Sequence, residues 1–315
     1  MQINDRVMDP QERIGFRLRS LYSDAGYCRY RMSKFEEYDL YSRNKDFLFS
    51  EGVITFTDTN GRLMALKPDV TLSIIKNGRD IPGALRRVYY HENVYRVASA
   101  EDGFREQTQV GVECMGDVDS SCVAEVLKLA AKSLELCSAD YVLEISHLGI
   151  LGTLTDAVAS GERMREALLQ CAGEKNLHGI SRICQENGLA KGAEEPLKQL
   201  LNLYGPPRTV MPKIRKLAEE NGAAEYADEL GQAAAAFAGS DMENRIRIDF
   251  SASGDTKYYN GIVFKGFISG IPGSVLSGGQ YDRLMRRMGR KDRAVGFAVF
   301  LNMLERLTEG GQADA

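Results

Sequence analysis

The N-terminal part of the chain carries the hydrophobic period of an amphipathic helix. Asp9 stands where an N-cap is expected, Pro10 follows at the first helical position, and Glu12 completes a capping-box pair. Apolar side chains such as Leu18 then recur at helical spacing as far as Gly26. We therefore predict a helix that begins after Asp9 and ends at Gly26.

Beyond this helix the pattern changes to aromatic and β-branched residues, which are typical of strands. The aromatic and β-branched residues 53–57 are followed by an Asn-Gly pair at 60–61 and by an apolar run at 63–66, and this arrangement predicts a β-hairpin. Two further strands are predicted over residues 87–97 and 107–115. The first third of the chain is therefore expected to be rich in antiparallel strands.

The predicted strand at 107–115 has two chemically different faces. Valines 110 and 112 alternate with Gln109 and Glu113, so the amide and the carboxylate should project from the same face. Such a pair can belong to a solvated strand face. It can also hold an ammonium or imidazole group through charge-assisted hydrogen bonds. The strand pattern alone leaves both interpretations open.

The middle of the chain has a different character. Residues 149–240 are dominated by Ala, Leu, Glu and Lys in helical periods, broken by glycines and prolines. Strand patterns return at 245–250, 258–267 and 294–300. β-rich segments therefore flank a helical one on both sides.

This order of segments predicts an α+β fold rather than a doubly wound parallel sheet. We expect a discontinuous domain made of residues 1–148 and 241–315, with an antiparallel sheet flanked by helices. Residues 149–240 are expected to form a helical insertion in that domain.

Composition narrows the class of protein. The 315 residues include 43% hydrophobic ones, enough for a sizeable core, and no run approaches the ~20 apolar residues of a membrane span. We expect a cytoplasmic protein without a membrane partner.

A net charge of −4 argues against nucleic acid as a partner. The six cysteines contain no Cys-x-x-Cys pair and the three histidines do not cluster, which predicts reduced thiols and no metal site.

Several short motifs carry candidate chemistry but are weak one at a time. Asp69 and Thr71 follow a proline, and they can start a helix or face a ligand. The pair Tyr258 and Tyr259 precedes a glycine and can be core aromatics before a turn. The run Ser277-Gly-Gly-Gln-Tyr-Asp282 can be a plain turn, or a place where a ligand approaches the backbone closely. No phosphate-binding glycine loop and no serine or cysteine nucleophile motif occurs.

The order of these motifs is more specific than their content. Read together, they resemble the catalytic domain of histidyl-tRNA synthetase, a class II aminoacyl-tRNA synthetase, over residues 10–308. The segments that carry the resemblance are Leu66-Lys-Pro-Asp-Val-Thr71, Val94-Tyr-Arg96, Arg105-Glu-Gln-Thr-Gln-Val-Gly-Val-Glu113, Tyr258-Tyr-Asn-Gly-Ile-Val-Phe264, Ser277-Gly-Gly-Gln-Tyr-Asp282 and Ala294-Val-Gly-Phe-Ala-Val299.

The resemblance implies an intact histidine pocket on an antiparallel sheet. By match to the family motifs, the residues expected to hold the α-ammonium group are Asp69, Thr71 and Gln109, with Asp69 where the synthetases usually have Glu. The residues expected around the imidazole are Glu113, Tyr259 and Tyr281. No catalytic residue is expected among them.

The resemblance also implies that the adenylation centre is lost. Arg96 matches the arginine of the family's Arg-x-Glu, but its glutamate position is Ala98. The arginine that opens the histidine-specific motif corresponds to Gly254, and the Glu-Arg of the third class II motif corresponds to Asn302 and Met303. A shifted alignment could place the residues at 305 and 306 there instead, almost one helical turn away. Activation of histidine with ATP is therefore not expected.

Two further departures concern partners. The proline of the first class II motif corresponds to Ser33, which puts the usual dimer contact in doubt. The residues after Leu307 are too few for an anticodon-binding domain, and with the acidic charge this predicts no tRNA partner.

This combination resembles the ATP phosphoribosyltransferase regulatory subunit family. The resemblance implies a non-catalytic chain that pairs with a short-form catalytic phosphoribosyltransferase in a hetero-oligomer, self-associates as a dimer, and mediates feedback by L-histidine in histidine biosynthesis. No cofactor is expected, since ATP and phosphoribosyl pyrophosphate would bind the partner. Two alternatives stay open: a histidyl-tRNA synthetase fragment or paralogue, and a stand-alone histidine-binding sensor.

Overall fold

A central antiparallel hairpin organises the molecule. In the computed structural model, which describes residues 8–48, 52–78, 83–97, 103–253, 258–291 and 293–304, the two longest strands are β5 (Leu85–Val97) and β6 (Phe104–Gly116). They pair over their whole length, from Leu85 opposite Gly116 to Val97 opposite Phe104. Their β-branched and aromatic residues alternate with polar ones, as expected for a sheet that packs one face on the core and keeps a more polar face opposite.

The hairpin belongs to an eight-stranded sheet with the order β1-β5-β6-β11-β10-β9-β7-β8. The additional strands are β1 (Cys28–Arg29), β7 (Tyr141–His147), β8 (Ile246–Ile248), β9 (Ile262–Ile268), β10 (Leu276–Gln280) and β11 (Arg293–Phe300). All neighbours are antiparallel except the two outermost pairs, β1 with β5 and β7 with β8, which are parallel. The parallel pairs at the edges were not predicted, because the sequence pattern does not encode which distant strands pair.

A small second sheet precedes the hairpin. It consists of β2 (Phe35–Glu37), β3 (Thr55–Thr57) and β4 (Leu63–Leu66), in the order β2-β4-β3. The predicted turn at residues 60–61 joins β3 to β4, and Gly61 adopts a positive φ of 79° there. The predicted hairpin is therefore confirmed. Directly after β4 the chain forms the short helix α3 (Thr71–Lys76), and α2 (Tyr38–Ser42) follows β2.

One face of the large sheet is covered by two helices, α1 (Pro10–Asp24) and α4 (Ser120–Cys137). The predicted capping box forms, since Glu12 N donates to Asp9 Oδ1 over 2.7 Å and Asp9 N donates to the Glu12 carboxylate over 3.1 Å. Tyr22 of α1 is fully buried and packs edge-on against Phe297 of β11, with ring centroids 5.9 Å apart. These two helices therefore leave the opposite face of the sheet uncovered.

Six helices lie between β7 and β8 in the chain. They are α5 (Leu148–Asp156), α6 (Glu162–Gly173), α7 (Leu177–Glu186), α8 (Glu195–Asn202), α9 (Pro207–Glu220) and α10 (Ala224–Ala235). Polar contacts between this segment and the sheet region include His147 Nε2, which lies 3.0 Å from the Glu229 carboxylate, and Lys175 Nζ, which lies between α6 and α7 and is 2.7 Å from the buried carboxylate of Asp249. The α+β fold with inserted helices is confirmed.

Two local predictions need correction. The run at 277–282 is not a turn: its first four residues lie in β10, and only after Tyr281 does the short helix α11 (Asp282–Arg287) begin. The strand predicted over 258–267 begins later, at Ile262. Both differences arise because glycines and aromatic pairs were interpreted from their sequence neighbours alone. In the structure, β10 is stabilised by pairing with β9 on one side and β11 on the other. Among the described residues, no helix is long and apolar enough to cross a membrane.

Candidate functional site

A cavity lies on the face of the large sheet that α1 and α4 leave uncovered. Its floor is a row of small residues in register, with Gly111 of β6 opposite Ala298 of β11 and Ala298 opposite Ser277 of β10. Small side chains on three adjacent strands keep the sheet surface open above them. The cavity has a volume of about 160 Å³.

The carboxylate of Glu113 is the centre of the hydrogen-bond network in this cavity. The Thr71 hydroxyl donates to one of its oxygens and the Tyr281 hydroxyl to the other, each over 2.6 Å. Glu113 is 3% exposed. Its oxygens are thus fixed by two neutral donors, and no ion pair with a described residue neutralises it. A carboxylate in this setting can accept a hydrogen bond from a positively charged nitrogen of a ligand.

The electrostatic state of Glu113 follows from its burial. Desolvation raises the pKa of this carboxyl from 4.5 to about 8, against the lowering effect of the two hydroxyl donors. The nearby Asp69 carboxyl raises it further by repulsion. The group is therefore largely protonated at neutral pH in the empty cavity, and a cationic ligand would shift it to the ionised form.

Gly296 makes room for this carboxylate. It lies opposite Glu113 in the β6–β11 register. A Cβ at position 296 would stand 1.8 Å from Glu113 Oε2 and 2.5 Å from the carbonyl oxygen of Val112. A glycine is therefore required where β11 passes under the carboxylate.

Asp69 has two roles at the start of α3. One of its carboxylate oxygens accepts from the backbone N–H of Leu72 over 2.8 Å, as the helix-start interpretation predicts. The side chain also lines the cavity and is 5% exposed. Burial raises the pKa of Asp69, while the Leu72 N–H and the charge of Arg96 lower it. The two interpretations of this residue are therefore compatible.

Three tyrosines form an aromatic wall beside the carboxylates. Tyr258 and Tyr259 meet edge to face with ring centroids 4.8 Å apart, and Tyr258 lies 6.0 Å from the Tyr281 ring. Tyr258 also forms a hydrogen bond with Thr71. All three are almost fully buried. Their rings provide a flat apolar surface and their hydroxyls provide direction, which suits a planar polar ring such as imidazole.

All six positions predicted to bind histidine line this one cavity, namely Asp69, Thr71, Gln109, Glu113, Tyr259 and Tyr281. Gln109 and Glu113 are 5% and 3% exposed, so the interpretation of a solvated strand face is wrong. Their role in binding histidine remains a prediction. The same lining also includes residues that were not predicted, among them Tyr90, Tyr258, Lys265, Ser274 and Phe300.

Two of the unpredicted lining residues lie on the same face of the sheet as Glu113. Tyr90 lies opposite Gly111, and Lys265 lies opposite Ser277, so both share the face of Glu113. This shared placement depends on the register between neighbouring strands, and that register cannot be read from the sequence.

The position of the third class II motif is occupied by neutral side chains. The carboxamide oxygen of Asn302 accepts from the backbone N–H of Thr108 over 2.6 Å, which ties the end of β11 to β6. Met303 is partly buried and packs on the core. Neither of these two side chains is charged. Ala98, Gly254 and the residues at 305 and 306 lie outside the described ranges.

Metal binding finds no support in the described part of the chain, where no group of three His, Cys, Asp or Glu side chains is arranged to hold an ion. The six cysteines, all of them in that part, are free.

The eight-stranded, mostly antiparallel sheet, the flanking helices and the cavity on the open face define a class II synthetase-like protein. The sequence model of the histidyl-tRNA synthetase family matches residues 5–304. The chain belongs to that family.

Curated relatives carry a narrower name. A protein from Oceanobacillus iheyensis named ATP phosphoribosyltransferase regulatory subunit is 28% identical over 291 residues, which are 91% of this chain and 71% of the relative. A protein of the same name from Caldanaerobacter subterraneus is 29% identical over 293 residues, 90% of this chain and 74% of the relative. The resemblance to regulatory subunits predicted from the motifs is thus confirmed.

Solved structures confirm the fold. An ATP phosphoribosyltransferase regulatory subunit/histidyl-tRNA synthetase from Bacillus halodurans superposes with a TM-score of 0.82 at 24% identity, covering 94% of this chain and 79% of that one. A chain of the ATP phosphoribosyl transferase (HisG:HisZ) complex from Thermotoga maritima gives a TM-score of 0.71 at 18% identity, covering 95% and 98%.

Proposed function

We propose that this chain is the non-catalytic regulatory subunit of an ATP phosphoribosyltransferase and that it binds L-histidine in the cavity on its large sheet. The observation that carries the proposal is Glu113, a buried carboxylate held by Thr71 and Tyr281 and open to a cavity that three tyrosines line. A ligand with a cationic nitrogen and a planar ring fits this arrangement. The enzyme complex in this proposal is the one for which the curated relatives are named.

The ligand's two ends would be recognised by different groups. Asp69, Thr71 and Gln109 would hold the α-ammonium group, and Glu113, Tyr259 and Tyr281 would contact the imidazole. Each contact to a buried carboxylate is a charge-assisted hydrogen bond, which is about twice as strong as a neutral one. The cationic groups of histidine would also offset the repulsion between the Asp69 and Glu113 carboxylates.

Catalysis would reside in the partner, a short-form phosphoribosyltransferase chain that binds ATP and phosphoribosyl pyrophosphate. Support comes from the third motif, where Asn302 is used to tie two strands together and Met303 is apolar. A site that stabilises a phosphoryl transition state needs cationic donors at such a place. The net charge of −4 likewise favours a protein partner in the cytoplasm over tRNA.

Feedback would follow from linkage. If histidine binds one conformation of this subunit more tightly, and the partner interface differs between conformations, then the ligand shifts the complex between active and inactive states. Self-association of this chain as a dimer within the hetero-oligomer is part of the proposal.

Two assays test the assignment against a ligase. The chain should copurify with a catalytic phosphoribosyltransferase that needs it for activity. The isolated chain should also show no histidine-dependent exchange between ATP and pyrophosphate. Robust exchange would refute the proposal and identify a histidyl-tRNA synthetase activity. Histidine binding without any such partner would indicate a stand-alone sensor.

A further inference from the structure

A positively charged side chain lines the cavity at a distance from the two carboxylates. Lys265 of β9 is partly buried and belongs to the cavity lining, together with Ser274 and Ser277. We propose that Lys265 binds the carboxylate group of the amino-acid ligand, an inference that rests on the proposed histidine site. Lys265 thereby provides the proposed histidine site with a positive group that pairs with the carboxylate of the ligand.

The sheet register places Lys265 on the correct side and at a suitable distance. It lies opposite Ser277 of β10, which lies opposite Ala298 of β11, and only short side chains stand between Lys265 and β6. Three strand spacings separate the backbones of β9 and β6, which is about 14 Å. Glu113 and Lys265 line the same cavity from strands on the two sides of this floor, so a ligand can span the space between them.

The neighbours of Lys265 leave its charge available. Its register partner on β7 is Glu144, whose pKa is raised to about 7 by burial and by repulsion from Asp249. Glu144 is therefore only partly ionised at neutral pH. Asp249 is itself paired with Lys175 over 2.7 Å. Within the described ranges no salt bridge to Lys265 is formed, although it lies close enough to Glu144 to lower that pKa.

The other cation in the lining is differently engaged. The guanidinium of Arg96 donates to the carbonyl oxygen of Pro68 over 3.3 Å, and its charge acts on Asp69. Arg96 therefore belongs to the acidic side of the cavity. An amino acid that places its ammonium and ring against the carboxylates needs a cation elsewhere for its carboxylate, because a buried unpaired charge is costly.

The test compares two ligands that differ only in the carboxylate. L-Histidine and histamine are titrated calorimetrically into the full chain. The wild-type protein should bind histidine at least about tenfold more tightly than histamine, since a hydrogen bond to a charged group contributes about 1.5 to 3 kcal/mol. Lys265→Met should abolish most of that preference: histidine should weaken about tenfold, and histamine should change less than about twofold. Lys265→Arg, which keeps the charge, should restore most of the preference.

Lys132→Met serves as the matched control, because Lys132 is an exposed lysine of α4 on the other side of the sheet. It should leave both affinities unchanged. If Lys265→Met does not fold, Lys265→Gln takes its place, and the wild-type preference is measured in either case.

Three results would overturn the inference. The wild-type chain could bind histidine and histamine equally. Lys265→Met could weaken neither ligand, or it could weaken both equally, as a merely structural lysine would. If the wild-type chain bound neither ligand, the proposed histidine site itself would fail, and the inference with it; this outcome is distinct from the other three.

Discussion

Strand β6 carries two contrasting polar sites only five residues apart. At Glu113 a buried carboxylate faces an open cavity and is held by two hydroxyls. At Thr108 the backbone N–H donates a hydrogen bond to the carboxamide oxygen of Asn302, so each of these polar groups has a partner within the fold. The first site keeps hydrogen-bonding capacity for a ligand, and the second uses it for the fold. The first site is thus a candidate for ligand recognition, whereas the second is structural.

The largest expected effect is on ligand binding at the first site. Glu113→Gln keeps the shape and can still bond Thr71 and Tyr281, but it removes the negative charge that would pair with a cationic ligand. We expect histidine affinity in calorimetry to fall a hundredfold or more, about 3 kcal/mol, as for a buried charge pair that loses one partner. Glu135→Gln, at an exposed position of α4, should have no effect. Unchanged affinity in Glu113→Gln would show that the carboxylate does not contact the ligand.

A slightly smaller effect is expected when the space under Glu113 is filled. In Gly296→Ala the new methyl group would collide with the Glu113 carboxylate and with a backbone oxygen. Overpacking of this kind costs about 1 to 3 kcal/mol, so urea unfolding should show a loss of about 2 kcal/mol.

Gly152→Ala is the matched control for that substitution. Gly152 lies inside α5, where the nearest atom to a new Cβ is 4.0 Å away. It should stabilise the protein by about 0.5 to 1 kcal/mol. Equal stability of the two variants would contradict the tight packing at Gly296.

The pH dependence of stability isolates the charge state of Glu113. Its pKa is about 8 in the folded chain and near 4.5 when unfolded. The folded state therefore binds more protons at this group between these values, so the contribution of Glu113 to stability is greatest below pH 4.5 and falls as pH rises toward 8. We expect the ligand-free protein to lose about 2 kcal/mol of unfolding free energy between pH 6 and pH 8 through this group.

Glu113→Gln should flatten that part of the curve, as urea titrations at the two pH values would show. An identical slope in the wild type and the variant would mean that Glu113 is ionised in the empty cavity. Glu144, with a pKa of about 7, contributes in the same direction and remains in both proteins.

The smallest effect is expected at the second site. Asn302→Ala leaves the Thr108 N–H without its side-chain acceptor, which should cost about 1 kcal/mol in unfolding free energy. Histidine affinity should not change. Asn302→Asp keeps an acceptor oxygen and should change the free energy of unfolding very little. A loss of histidine binding in Asn302→Ala would show that this end of β11 still takes part in recognition.

Local rules predicted much of the fold. The capping box at Asp9 and the hairpin at residues 60–61 depend on neighbours in the chain, and the structure confirms both. The shared face of Gln109 and Glu113 follows from strand alternation alone. The roles assigned to the six cavity residues came from the resemblance, and those roles remain predictions.

What depends on distant strands could not be predicted. A plain turn was one of the two interpretations of β10 because the run contains two glycines, whereas in the sheet a Cβ on Gly278 would lie 2.5 Å from the Phe264 ring. Lys265 was overlooked because its place in the cavity depends on the β9–β10 register. Pairing of segments far apart in the chain decides both cases.

The most direct test of the central claim is the activity of the reconstituted complex with and without L-histidine. A short-form catalytic phosphoribosyltransferase is assayed for phosphoribosyl transfer alone, with this chain, and with this chain plus millimolar histidine. We predict little activity from the catalytic chain alone, strong activity with this chain, and inhibition when histidine is added. Activity that is independent of this chain, or a complex that histidine does not inhibit, would contradict the account.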